Sequence, residues 1–218
     1  LIQEEVKEPF LMELKLAIQK MYDPKYEGIV KSKDLARIIN LKNFNRIQGL
    51  FNDAFEKGVK VDFGGTFDPE TLFIEPTLLS NLKEGMHILE EEIFGPLLPI
   101  ISYKDIDEAI SIINSKPKPL ALYYFGEENN TFKRVIQETS SGNAVLNDCV
   151  LHFIHPNLPF GGVNNSGIGK SHGYFGYLAF SNEKGVLKQR IGFNNSTMLT
   201  PPYDNKTQKI ISTLIKWL

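Results

Sequence analysis

Apolar positions in the first part of the chain fall at helical spacing and then at strand spacing. Within residues 8–21, Phe10, Leu14, Ala17 and Met21 recur three or four apart with Leu11 and Ile18 beside them, which predicts an amphipathic helix seated on a core. Asp23-Pro24 ends it. Phe44, Ile47, Phe51, Ala54 and Phe55 predict a second helix, with Gly58 as its C-terminal cap. Residues 59–63 alternate as a strand does and enter the turn Gly64-Gly65, while residues 72–79 read as extended chain interrupted by Pro76.

The second part repeats a simpler rhythm. Glu90-Glu91-Glu92 runs into the turn Ile93-Phe94-Gly95-Pro96 and then into an apolar stretch, 97–101, that predicts a strand. Asp105 is the N-cap of a third helix whose buried stripe is Ile106, Ala109, Ile110 and Ile113, ended by Lys116-Pro117-Lys118-Pro119. Residues 120–125 read as a strand, and residues 131–139 as a helix through Phe132, Val135 and Ile136, closed by Ser140-Ser141-Gly142. Residues 143–153 alternate again. The order strand, helix, strand, helix, strand predicts right-handed crossovers and a parallel α/β sheet.

Composition narrows the partners. In 218 residues, 42% hydrophobic side chains supply a substantial core, and 24 basic against 26 acidic residues give no electrostatic reason to expect nucleic acid. The single cysteine, Cys149, allows no internal disulfide and fits a reducing compartment, with the cytosol as the expected location. The chain opens on Leu1 without a signal-peptide pattern, so it is expected to begin inside a longer protein.

Each stretch with chemical potential has a plainer counterpart. Phe160 to Ser171 ends in Gly-Lys-Ser, but a phosphate-binding loop needs glycine where Asn164 stands and a strand directly before it; a glycine-punctuated loop passing close to other backbone accounts for it better. Strand parity puts Cys149 with Val145, Leu151 and Phe153, and with Asn147, on one face that reads as core, the place of a structural thiol. His152 and His155 lack a second cluster at metal-ligand spacing, so no metal site is expected. Taken alone, Glu90 and Glu92 are a solvated charge run. The tail from Lys206 sets Ile210, Ile211, Leu214, Ile215 and Leu218 on one side, a docking helix, with a membrane-surface contact as the sharper alternative.

Three segments taken together carry a resemblance: 91–100, Lys118 to Tyr123, and Pro159 to Gly169. As an ensemble they resemble the NAD(P)-dependent aldehyde dehydrogenases, and Ala36-Arg37-Ile38-Ile39-Asn40, Asn147-Asp148 and Ser171-His172-Gly173 narrow this to the class 3, fatty-aldehyde-like branch. The similarity runs from near Phe10 to about Phe180, and Asn164 departs from the glycine common in that branch.

The resemblance implies a chemistry in which a cysteine thiolate adds to the aldehyde, hydride passes to NAD or NADP, and a glutamate-activated water releases the acid. It assigns Glu92 to the nicotinamide ribose and Phe94 to the nicotinamide ring, with Leu120 and Phe160 lining the same pocket. It assigns no catalytic residue to this chain, because the nucleophile, the general base and the Rossmann domain lie upstream, and Cys149 does not match the nucleophile. The implied architecture is the parallel-sheet C-terminal half of the catalytic domain over 1–142, a bridging strand and glycine-rich active-site loop over 143–190, and a tail over 191–218. The implied partners are an aldehyde and a second copy of the chain, paired through the bridging strand. The competing expectation is a non-catalytic, truncated partner of a full-length enzyme, separated from the first by whether the frame continues upstream into a cysteine-bearing segment.

Overall fold

The structure, a computed structural model, describes residues 1–192 and 201–217, which form two compact units. The first contains Leu1–Ile154 with Phe160–Gly169, the second His155–Pro159 with the chain from Lys170 onward.

The first unit is built around strand β5 (Thr77–Ser80), which is buried along its whole length. It pairs antiparallel with β2 (Lys60–Phe63) and parallel with β6 (Leu97–Pro99). Alternate side chains of a strand point to opposite faces. Leu79 accordingly packs with Phe44, Ile47, Leu50 and Ala54 of helix α2 (Leu41–Glu56), and Leu78 packs with Leu11 and Ile18 of helix α1 (Lys7–Tyr22). Helix, sheet and helix form three layers.

Local chemistry sets the helix limits. Asn40 caps α2 by accepting the Asn43 amide at 2.9 Å, and Gly58 leaves that helix at φ +85°, a conformation that glycine takes without penalty. Asp23 closes α1 and its carboxylate accepts the amides of Glu27 and Gly28. Asp105 caps α3 (Ile106–Asn114) through the Glu108 amide, as the sequence predicts.

Three expectations change. The buried face of α1 centres on Leu11 and Ile18, leaving Phe10, Ala17 and Met21 exposed: two stripes on this helix are apolar, and the sheet takes the narrower one. The strands do not join one parallel sheet. β1 (Ile2–Gln3) pairs parallel with β7 (Ser102–Tyr103), β3 (Phe67–Asp68) antiparallel with β4 (Phe73–Ile74), and β8 (Ala121–Tyr124) parallel with β9 (Asn143–Leu146), each as a separate two-stranded sheet beside the mixed one around β5. A parallel pair joined through a helix is retained in β8 and β9, neighbours connected by α4 (Asn130–Glu138).

Strand β9 ends at Leu146 rather than continuing to residue 153. Asn147 takes φ +57°, and its side-chain amide exchanges two 2.8 Å hydrogen bonds with the backbone of Gly126. Val150 turns the chain again at φ +66°, and a 3-10 helix follows over Leu151–Ile154. Strand parity is lost at Asn147, so Cys149 is exposed and is not the core thiol that the alternation predicts.

In the second unit, helix α5 (Gly173–Ala179) carries Tyr174 stacked on Tyr177, and helix α6 (Asn205–Trp217) is capped by Asp204. The expected tail helix is α6; Leu218, the last residue of its predicted stripe, lies outside the described residues.

Asp53 ties α2 to the segment that follows β5. It accepts from Lys57 Nζ at 2.5 Å and from the His87 amide at 2.9 Å, and these two bonds hold its carboxyl below the ordinary carboxylate value. A group whose folded pKa is depressed stabilises the fold above its unfolded pKa and loses that contribution as pH falls through the folded value. Thermal melts from pH 6 downward should therefore show a decline below about pH 4, and Asp53→Asn should flatten that limb. An unchanged acid limb in the variant would remove Asp53 from the account.

Candidate functional site

Helix α2 also shapes the turn between Glu92 and Pro96. Ile47 is fully buried, and a Cβ built on Gly95 would stand 2.7 Å from its Cδ1, so the turn can rest on the helix only because residue 95 has no side chain. One position earlier on the helix, Arg46 reaches the same turn. Its Nη1 donates to the Glu92 carbonyl at 2.9 Å and its Nη2 to the Ile93 carbonyl at 2.6 Å. The guanidinium fork, planar and rigid, suits two neighbouring acceptors.

The braced turn presents Phe94 and Glu92 outward. Phe94 is 81% exposed on a backbone with φ +45°, a region that a bulky aromatic residue seldom enters. Glu92 is exposed, and its carboxylate has no hydrogen-bond or ion-pair partner among the described residues. Glu90 is exposed as well and nothing in its surroundings singles it out.

Elsewhere in the first unit the backbone at Leu120 and at Gly161, the residue after Phe160, is joined through the Asn143 side chain. Leu120 precedes β8, and its carbonyl accepts the backbone amide of Asn143 at 2.9 Å. Phe160 enters the glycine-rich loop, and its ring packs against His152 and Phe153 at 5.7 and 6.2 Å between centroids. That loop is a closed turn. A Cβ on Gly162 would fall 2.1 Å from the Ser166 carbonyl, and the Ser166 hydroxyl both accepts from the Val163 amide and donates to the Val163 carbonyl at 2.9 Å. Asn164 sits at φ +53°, so asparagine occupies here the left-handed conformation that a glycine would take most easily.

Arg46 and Asn143 are absent from the sequence-derived site. In the helical pattern Arg46 falls among the polar positions of an amphipathic helix, indistinguishable from a solvated lysine or arginine. Among the described residues no group of three or more His, Cys, Asp or Glu could hold a metal ion, and no helix is long and apolar enough to cross a membrane.

The family model described as the aldehyde dehydrogenase family matches residues 1–186. A putative aldehyde dehydrogenase of Bacillus subtilis, AldX, is 52% identical over 153 residues, which cover 70% of this chain and 34% of AldX. Mouse aldehyde dehydrogenase family 3 member A2 is 45% identical over 177 residues, covering 81% of this chain and 36% of the mouse protein. The structure described as the substrate-bound state of Staphylococcus aureus AldH superimposes with a TM-score of 0.83 at 39% identity, over 98% of this chain and 45% of that one. The chain thus spans between a third and a half of the length of these relatives. A family match over residues 1–186, and a fold shared with AldH along nearly the whole chain, place the chain in the aldehyde dehydrogenase family.

Proposed function

We propose that the chain is the C-terminal part of an NAD(P)-dependent aldehyde dehydrogenase of the class 3, fatty-aldehyde-like branch, oxidising aliphatic or aromatic aldehydes to carboxylic acids. The observation that carries this is the turn on α2: an unengaged carboxylate and an outward aromatic face, two residues apart, braced through their backbone by Arg46. That pair fits a nicotinamide riboside, because a carboxylate accepts from ribose hydroxyls and an aromatic ring covers a flat heterocycle. Glu92 would hold the ribose and Phe94 the ring, with Leu120 and Phe160 as apolar wall. The nicotinamide, when bound, supplies the two-electron acceptor.

The remaining work of these residues is positional. Fixing the cofactor within reach of the substrate lowers the barrier by limiting the geometries to be searched. The group that attacks the aldehyde belongs to the part of the family fold outside this chain, since Cys149 is exposed on the turn after β9 and does not match the nucleophile. Pairing of two copies through the 143–190 segment completes the proposed assembly.

Purified 1–218 is expected to oxidise no aldehyde with NAD or NADP, and turnover above blank by the purified chain would sink the proposal. In the complete polypeptide, Glu92→Gln should raise the KM for the dinucleotide about tenfold, the equivalent of 1.4 kcal/mol, while denaturation midpoints stay within error. Arg46→Met should lower stability by about 1–3 kcal/mol and weaken the dinucleotide too; an unchanged KM would separate the turn from the cofactor.

A further inference from the structure

Three stretches of backbone converge where Leu120 and Phe160 are held: Pro119-Leu120 entering β8, Gly142-Asn143 entering β9, and the Phe160 to Gly162 turn. A Cβ on Gly142 would lie 2.3 Å from the Gly161 carbonyl oxygen, 2.6 Å from that of Leu120 and 2.9 Å from Gly162 Cα. The φ of Gly142 is not positive, so its demand is for space alone. Carbonyl oxygens pointing into one narrow gap repel unless a donor stands between them.

Asn143 supplies that donor. Its Nδ2 reaches the Leu120 carbonyl at 3.3 Å and the Gly161 carbonyl at 3.2 Å. A carboxamide nitrogen carries two hydrogens, one for each acceptor, and two flanking carbonyls fix which end of the amide faces them. The Leu120 carbonyl therefore accepts twice from one residue, from the backbone and from the side chain of Asn143. A second tie runs through rings: His152 lies edge-on to Tyr123 of β8 at 5.8 Å and against Phe160 at 5.7 Å. The amide holds the backbones, and the imidazole holds the side chains.

We propose that Asn143 sets the spacing between Leu120 and Phe160, a positioning residue that acts on the cofactor pocket through two backbone carbonyls without touching the cofactor. This rests on the assignment of Leu120 and Phe160 to that pocket. Alanine removes both side-chain bonds while keeping the backbone bond to the Leu120 carbonyl, and aspartate, of the same shape, adds a third acceptor and a charge.

The test uses the complete polypeptide, with dinucleotide binding followed by the fluorescence of NADH and NADPH, and steady-state kinetics beside it. Asn143→Ala and Asn143→Asp should raise the dissociation constant and the KM of the dinucleotide at least about fivefold, the scale of one hydrogen bond, with kcat at saturating cofactor within about twofold. Asn114→Ala is the control for a purely structural loss: its Nδ2 donates to the Glu138 carbonyl at 2.9 Å, the same kind of bond between α3 and α4. It should leave both constants unchanged.

Leu120→Ala and Phe160→Ala separate the two layers. If they weaken binding and the Asn143 variants do not, the positioning role is overturned and the pocket stands. If neither weakens binding, the pocket assignment falls and takes the positioning role with it. Should Asn143→Asp fail to fold, amide exchange of folded Asn143→Ala decides: faster exchange confined to residues 120–122 and 160–163 supports the tie, and wild-type rates there overturn it.

Discussion

Ile47 carries two loads. On one side it belongs to the cluster that α2 buries against β5, and on the other its side chain is the surface on which Gly95 rests. The register of α2 on the sheet therefore fixes the height of the Glu92 to Pro96 turn. Arg46, next on the same helix, reaches that turn only because Ile47 has already brought it down. A change that rotated α2 to bury a different stripe would move Arg46 and Ile47 together and release both the core and the turn.

The segments that carry Leu120 and Phe160 are held by a different device. Three backbones meet around Gly142, and one carboxamide donates to two of their carbonyls. Both devices use an absent side chain to allow approach and a donor to hold it. A hydrogen bond to a charged group contributes about 1.5–3 kcal/mol against roughly 1 for a neutral one, so the turn on α2 is the more firmly fixed of the two.

Helices were legible in the sequence because their signals are local. Asp105 and Gly58 act within a turn of their own position, and the spacing of Phe44, Ile47 and Ala54 needs no partner to be recognised. Strand partners were not legible, since β5 takes β2 on one side and β6 on the other and alternation along a strand names neither neighbour. The end of β9 escaped for a related reason: Asn147 turns the chain because Gly126, 21 residues away, answers its amide. The segments that resemble the family marked Glu92, Phe94, Leu120 and Phe160, but not what braces them. Arg46 lies 46 residues from the carbonyl it holds, and periodicity assigns it to solvent.

Phe94 shows why the bracing matters. A bulky residue at φ +45° costs about 1–3 kcal/mol in backbone strain, and leaving a phenylalanine exposed forgoes a further 1.5–3 or so that burial would contribute. A free loop would relax both by swinging the ring inward and the backbone to negative φ. Two charge-assisted bonds from Arg46 are of the size needed to oppose that relaxation, and they act on the carbonyls of Glu92 and Ile93, the peptide groups whose rotation it would require. The strain is held from outside the turn, by a helix whose place is set by the core. Stability of the core and orientation of Phe94 are thus one quantity, and a loosened α2 would show first as a misplaced ring.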